Sequence, residues 1–262
     1  MRIIFLNVWG GEQLHSLLNF FQSHRQDTDV FCLQEVFHTA DESDYKTGPR
    51  GKRLHTNLFE HIDSILDNYN GLFAGGEEGY DYRGAVDYHQ EFGLAAFVHE
   101  NIDVTLTDDE PITDIETKYG YRRNLQYIEI RGTHGPMLLV HLHGIQVHHD
   151  KSDTPERIKQ SNTVIDFLDE YKQKRNDLKI VLGGDFNLNP DTEALHMFEE
   201  YGLRNMIDQY DIETTRTYLY DRFEASPYAD YCFVSDNITV RNFEVPEVAV
   251  SDHRPLVLDI DT

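Results

Sequence analysis

Apolar residues along the chain fall into runs of two spacings, and each change of spacing marks an element. Ile3 to Leu6 form an apolar run that stops at Asn7, the pattern of a first buried strand. After Gly10 and Gly11, the positions of Leu14, Leu17, Leu18 and Phe21 predict an amphipathic helix, and the continuous run Val30 to Leu33 predicts a strand. Leu54, Leu58, Ile62, Ile65 and Leu66 mark a second helix, and Ile158, Ser161, Ile165 and Leu168 a third. Between these two helices, residues 93–99, 125–131 and 137–143 read as strands separated by turn residues or acidic loops. Beyond the third helix come a strand at 179–182 ending in two glycines, a short helix at 192–201 closed by Gly202, and strands at 231–235 and 256–260.

Strands thus occur in an early and a late mixed block, with helices flanking rather than alternating strictly. This pattern fits an α/β protein with two packed sheets covered by helices. No linker interrupts it, so residues 1–262 read as a single domain. The polar stretches 39–52 and 80–90 read as surface loops of the kind that carry substrate contacts.

Composition narrows the class. Hydrophobic content of 39% and charged content of 27% are those of a folded globular protein able to bury its own core. The N-terminal apolar run is too short for a signal peptide or a membrane span. The only cysteines, Cys32 and Cys232, lie inside apolar runs and read as buried thiols, which points to the cytoplasm. With 47 acidic against 23 basic residues, the net charge of -24 opposes tight non-specific binding of polyanions. A basic loop, Arg50-Gly51-Lys52-Arg53, or bound cations could reverse that field locally. No protein partner is implied.

Several short segments carry candidate chemistry. In Gly183-Gly184-Asp185-Phe186-Asn187 a strand stops at glycines, then presents a carboxylate and an amide on alternate positions, able to face one phosphate. Taken singly, the segment reads better as a turn whose Asp and Asn satisfy the backbone. Ser251-Asp252-His253 precedes the last strand, and Asp230 stands at the entry of another; an acid held against an imidazole fixes its tautomer, which pairs Asp230 with His253. Glu35 ends an apolar strand, an expensive place for a carboxylate unless it is exposed or binds a cation, so it is a candidate Mg²⁺ or Mn²⁺ ligand. Asn7 ends the first strand in the same way and could support that metal or the phosphate. His141 and His143 share one strand face, as core residues or as ligands. His148, His149 and Asp150 read as loop surface.

In this order, Asn7, Leu33-Gln34-Glu35, His141, Asp185-Phe186-Asn187, Asp230-Tyr231 and Asp252-His253 resemble the endonuclease/exonuclease/phosphatase superfamily, which includes DNase I, exonuclease III-class enzymes and neutral sphingomyelinases. The resemblance implies a four-layer αββα sandwich with its catalytic residues at one edge. It implies a divalent-metal-dependent phosphodiesterase, with nucleic acid among the possible substrates, and alternatively a phosphomonoesterase or a lipid or sugar-phosphate phosphodiesterase. By position, Glu35 and Asp252 would serve the metal, with Asn7 beside them, and Asp185 and Asn187 would place water and phosphate. His253, oriented by Asp230, and His141 would act on the phosphate. Glu91 matches an acid that orients the His141-type histidine, and Arg123 matches a phosphate-contacting arginine. The family's first motif commonly carries an acid two residues after the asparagine; here Trp9 stands there, which implies one tightly held Mg²⁺ rather than two. A catalytically inactive binding module on the same scaffold and a zinc hydrolase of another fold are the competing classes. Four acids converging on one cleft speak against the first, and the absence of a complete zinc ligand set against the second.

Overall fold

The computed structural model describes residues 1–39, 46–47, 53–78, 80–81, 84–85, 90–113, 122–132, 135–147, 150–175, 177–221 and 226–261. Most of the expected loop at 39–52, with Arg50, Gly51 and Lys52 of its basic tetrad, most of the loop at 80–90, and His148 and His149 lie outside the described residues. Within these loops Lys46–Thr47 pairs with Arg53–Leu54, and Tyr80–Asp81 with Gly84–Ala85, as short antiparallel ribbons.

Twelve of the described strands build two sheets. In chain order they are β1 (Arg2–Asn7), β2 (Val30–His38), β3 (Tyr69–Glu78), β4 (Glu91–His99), β5 (Val104–Pro111), β6 (Asn124–Gly132), β7 (Gly135–His143), β8 (Lys179–Asp185), β9 (Leu203–Asn205), β10 (Asp230–Ser235), β11 (Val240–Glu244) and β12 (Leu256–Ile260). One sheet has the order β11-β12-β1-β2-β4-β3 and the other β9-β10-β8-β7-β6-β5. Within them β1 and β2 pair in parallel, as do β7 and β8. This is the α/β sandwich that the apolar pattern called for.

Alternation along β1 and β2 explains how the layers stack. Ile3, Phe5, Val30 and Cys32 enter one core cluster, which also holds Leu139, Val181 and Phe233 of the second sheet. Ile4, Leu6, Phe31 and Leu33 point the other way, into a cluster with Leu17 and Phe21 of helix α1 (Leu14–His24) and Leu58 and Ile62 of α2 (Leu58–Asp63). Both faces of these strands are buried, which is why their sequences run apolar without a break. On the outside of the second sheet lie α3 (Pro155–Lys174) and α4 (Glu193–Glu200), whose Leu168 and Phe198 join the first cluster. Cys32 and Cys232 are buried and unbridged. No described helix is long and apolar enough to cross a membrane.

Of the twelve strands in the two sheets, four escape the sequence pattern: β3, β5, β9 and β11. β5 reads Val-Thr-Leu-Thr-Asp-Asp-Glu-Pro and is a largely exposed edge strand, so acids replace the apolar residues that mark a strand. β3 carries two adjacent glycines, which weaken any strand signal. Helix α2 begins at Leu58, later than the apolar spacing from Leu54 suggested.

Candidate active site

Strand register assembles the site. Parallel pairing sets His143 opposite Asp185, and antiparallel pairing sets Asp185 opposite Asp230. Three ionisable side chains at three strand ends therefore stand in one row, with neighbouring strands about 4.8 Å apart. Two glycines allow this close approach. A Cβ on Gly184, whose φ is +126°, would stand 2.3 Å from the Leu142 carbonyl oxygen, and one on Gly144 would stand 2.4 Å from that of Phe186.

The other sheet contributes Asn7 and Glu35. Asn7 pairs with Gln34 across β1 and β2. Beyond Leu33 the register of β2 against β4 shifts, and Glu35 takes a φ of +59° inside this irregularity. A bulge of this kind re-aims a side chain that regular pleating would send elsewhere. Trp9 and Asn187 also have positive φ, at 52° and 54°. Three of the five described non-glycine residues with positive φ thus lie around the cluster, the others being Asp177 and Asp211.

Asp185 lies at the centre. Its Oδ2 accepts from Asn7 Nδ2 at 3.0 Å and lies 3.6 Å from His143 Nε2 and 3.7 Å from His253 Nε2. Its Oδ1 accepts from the Asn187 backbone N at 2.9 Å. His253 Nδ1 donates to the Asp230 carboxylate, so the ring's acceptor lone pair is on Nε2, and Nε2 receives Arg216 Nη1. The same Arg216 nitrogen donates to Asp252 Oδ2 at 3.1 Å. Arg123 Nη1 donates to His143 Nδ1 at 2.8 Å. An arginine has no acceptor, so the His143 proton is on Nε2, which is buried without a hydrogen-bond partner and lies 3.7 Å from Glu35 Oε1. Asn187 Nδ2 is likewise buried and unpartnered.

Burial governs the charges. Desolvation, reinforced by the negative charges of Asp252 and Asp185, pushes Glu35 up to about 7, while Asn7 and Arg123 pull it back. Burial raises Asp230, against the pull of Arg216, and lowers His253, with Arg216 adding to the effect. His143 is driven well below its ordinary value by burial and by the Arg123 charge. Lys151 is lowered by burial and by Arg216, with Asp185, Asp230 and Asp252 opposing. Its Nζ donates to the Tyr228 carbonyl. Ligand atoms of Asp185, Asp230 and His253 all lie within 4.8 Å of one another.

The structure brings together Asn7, Glu35, Asp185, Asn187, Asp230, Asp252 and His253, and it relocates three other expected residues. His141 does not reach the Asp185 cluster. Its Nε2 donates to Gln126 Oε1 at 2.7 Å, and its Nδ1 receives Gln34 Nε2 at 3.3 Å, a fully satisfied core imidazole two residues short of the strand end. His143 takes the place expected of His141. Glu91 therefore orients neither imidazole; its carboxylate lies 4.0 Å from His38 Nε2. Arg123 reaches the site through His143 rather than as an open phosphate contact. Asn7 is committed to Asp185, and its Oδ1 accepts from the Trp9 backbone. Arg216 and Lys151 carry no signal in the sequence, because each is a single basic residue in a polar loop and only tertiary structure buries it.

A two-sheet sandwich that gathers acids, imidazoles and buried N–H donors at one edge defines a phosphoesterase scaffold. The model of the Endonuclease/Exonuclease/phosphatase family matches residues 4–253, and the chain belongs to that family. No curated protein sequence matches the chain. Its fold is shared by a mannosyl-6-phosphatase of Bacteroides thetaiotaomicron VPI-5482, at 17% identity and a TM-score of 0.73 with both chains covered completely. It is also shared by an endonuclease/exonuclease/phosphatase of Beutenbergia cavernae DSM 12333, at 19% identity and a TM-score of 0.76, covering 100% of this chain and 71% of that one. The human Nocturnin catalytic domain, solved with a bound sulfate anion, aligns at 17% identity and a TM-score of 0.71, covering 100% of this chain and 93% of that one.

Proposed function

We propose that residues 1–262 form one catalytic domain, a divalent-metal-dependent phosphodiesterase that cleaves its substrate by in-line attack of water. The observation that carries this reading is the set of groups around Asp185: an Asp230–His253 dyad, a second imidazole at 3.6 Å, and an Asn187 amide whose buried hydrogens have no partner. Buried donors left unsatisfied await an acceptor, and phosphoryl oxygens are strong ones.

A cation fits the donor set. Glu35, Asp185 and Asp252 are oxygen donors, and Glu35 is pushed up to about 7 because its carboxylate is desolvated among like charges. Hard divalent cations such as Mg²⁺ or Mn²⁺ prefer such oxygens and relieve that repulsion. Glu35 and Asp252 are the residues assigned to hold it, with Asn7 fixing the adjacent Asp185. When bound, the cation supplies Lewis-acid polarisation of the phosphoryl oxygen and charge for the leaving oxygen.

The side chains perform the rest. Asp185 orients water and accepts its proton as the oxygen attacks phosphorus, while the bond to the leaving oxygen breaks. Asn187 Nδ2 and His143 Nε2 donate to non-bridging oxygens, whose negative charge grows in the transition state. Asp230 keeps the His253 proton on Nδ1, which leaves Nε2 free to take up a proton and, once charged, to donate to a phosphoryl oxygen.

Charge favours a diester. A phosphodiester brings one negative charge where a monoester brings up to two, and it is the less opposed anion in a site where four buried carboxylates face Arg123, Arg216 and Lys151. The second reading, a sugar-phosphate monoesterase, draws on the full-length likeness to the mannosyl-6-phosphatase. Purified protein with Mg²⁺ should turn over bis-p-nitrophenyl phosphate faster than p-nitrophenyl phosphate. The reverse order supports the monoesterase, and cleavage of plasmid DNA places nucleic acid among the substrates.

A further inference from the structure

The hydrolytic reading leaves the buried Arg216 no task beyond charge balance. Its backbone is laced to the segment that carries Asp252 and His253. Arg216 bridges His253, Thr217 N donates to Asp252 O at 3.0 Å, and Arg254 N donates to Thr215 O at 2.8 Å. Thr217 Oγ1 donates to Ser251 O at 2.7 Å, and Arg254 Nε to Arg216 O at 2.9 Å. The guanidinium carbon stands 4.2 Å from the centre of the Tyr220 ring, a cation–π seat that also limits its movement.

Its polar contacts are those of a group waiting for an anion. Nη1 is divided between Asp252 Oδ2 and His253 Nε2, and Nε is buried with no hydrogen-bond partner. The contact with Nε2 covers the one lone pair that the Asp230–His253 pair leaves open to a substrate. An imidazole nitrogen is a weaker partner for a guanidinium than a phosphoryl oxygen, which is charged and matches the planar fork.

We propose that Arg216 is a catalytic residue, a phosphoryl-binding cation that covers His253 Nε2 in the free enzyme and exchanges that contact for a non-bridging phosphoryl oxygen when substrate arrives. Asp252 holds the guanidinium in line through the exchange. His253 Nε2 is then released only once a phosphoryl group is in place. The proposal takes its substrate from the phosphodiesterase reading, but the anion contact stands independently of turnover.

The test is calorimetric titration of inorganic phosphate into the full chain in the presence of Mg²⁺, for wild type, Arg216→Ala and Arg216→Lys. Loss of one charge-assisted contact should weaken phosphate binding about tenfold or more in Arg216→Ala. Arg216→Lys, which keeps a point charge without the fork, should fall between the two. Added guanidinium ion should restore part of the binding to Arg216→Ala and none to wild type. Where circular dichroism shows the alanine variant unfolded, the lysine variant alone decides. Equal phosphate affinity in a folded variant and wild type overturns the proposal, as does a wild type that binds no phosphate. Phosphate binding that depends on Arg216 in a protein without hydrolytic activity keeps this inference and removes the phosphodiesterase reading.

Discussion

His253 Nδ1 donates to both oxygens of the Asp230 carboxylate, at 2.9 and 2.8 Å, and this pairing decides which ring nitrogen meets the substrate. An amide at position 230 can turn its NH₂ toward the ring and impose the opposite tautomer. Asp230→Asn should therefore lower kcat at least about 100-fold, the low end for acid–base groups, while circular dichroism stays that of wild type. Turnover near normal in a folded Asp230→Asn protein would remove the dyad from the mechanism.

The two histidines of β7 separate catalysis from packing. His143→Ala should cost at least about 100-fold in kcat, because it removes a donor aimed at the phosphate position. His141→Gln should leave kcat within a few-fold and lower the melting temperature, because it disturbs the bonds to Gln126 and Gln34. The opposite pattern would return the site role to His141.

Glu35 links metal binding to pH. Its carboxyl, pushed up to about 7 in the metal-free protein, is increasingly protonated as pH falls through 7, and the proton competes with the cation. Apparent Mg²⁺ affinity should weaken across that range. Mg²⁺ should raise the melting temperature of wild type, because a ligand that binds only the native state stabilises it, and should raise that of Glu35→Gln far less. Equal Mg²⁺-induced shifts in the two proteins would remove Glu35 from the metal site.

His141 should also shape acid stability. Burial lowers it to about 3 from an ordinary value of 6.5, so between these pH values the unfolded chain binds a proton that the native protein refuses. Its contribution to stability is complete above pH 6.5 and is lost as pH falls toward 3. Melting temperatures from pH 7 down to 4 should therefore fall less steeply for His141→Gln than for wild type. Parallel curves would show that His141 is not the group being charged.

Much of this site is legible in the sequence because its residues bound or interrupt apolar runs. Asn7 and Asp185 end buried strands, Asp230 opens one and Glu35 sits at the bulge within β2, and a carboxylate or amide in any of these places needs a reason to be inside. The choice between His141 and His143 is not legible, since residues two apart share a strand face and only the register with Asp185 shows which one reaches the edge. Arg216 shows the same limit. Its neighbours Asp252 and His253 lie 36 and 37 residues further along the chain, and the pairing that brings them together leaves no periodic trace. The exposed edge strand β5 stayed hidden because its polar residues face solvent rather than a core.

The central claim is tested most directly by steady-state hydrolysis of bis-p-nitrophenyl phosphate by wild type and Asp185→Asn, first in EDTA and then with excess Mg²⁺. The account predicts no turnover in EDTA, recovery with Mg²⁺ in wild type, and a kcat at least about 100-fold lower in Asp185→Asn. Equal rates with and without Mg²⁺, or an Asp185→Asn protein as fast as wild type, would contradict it.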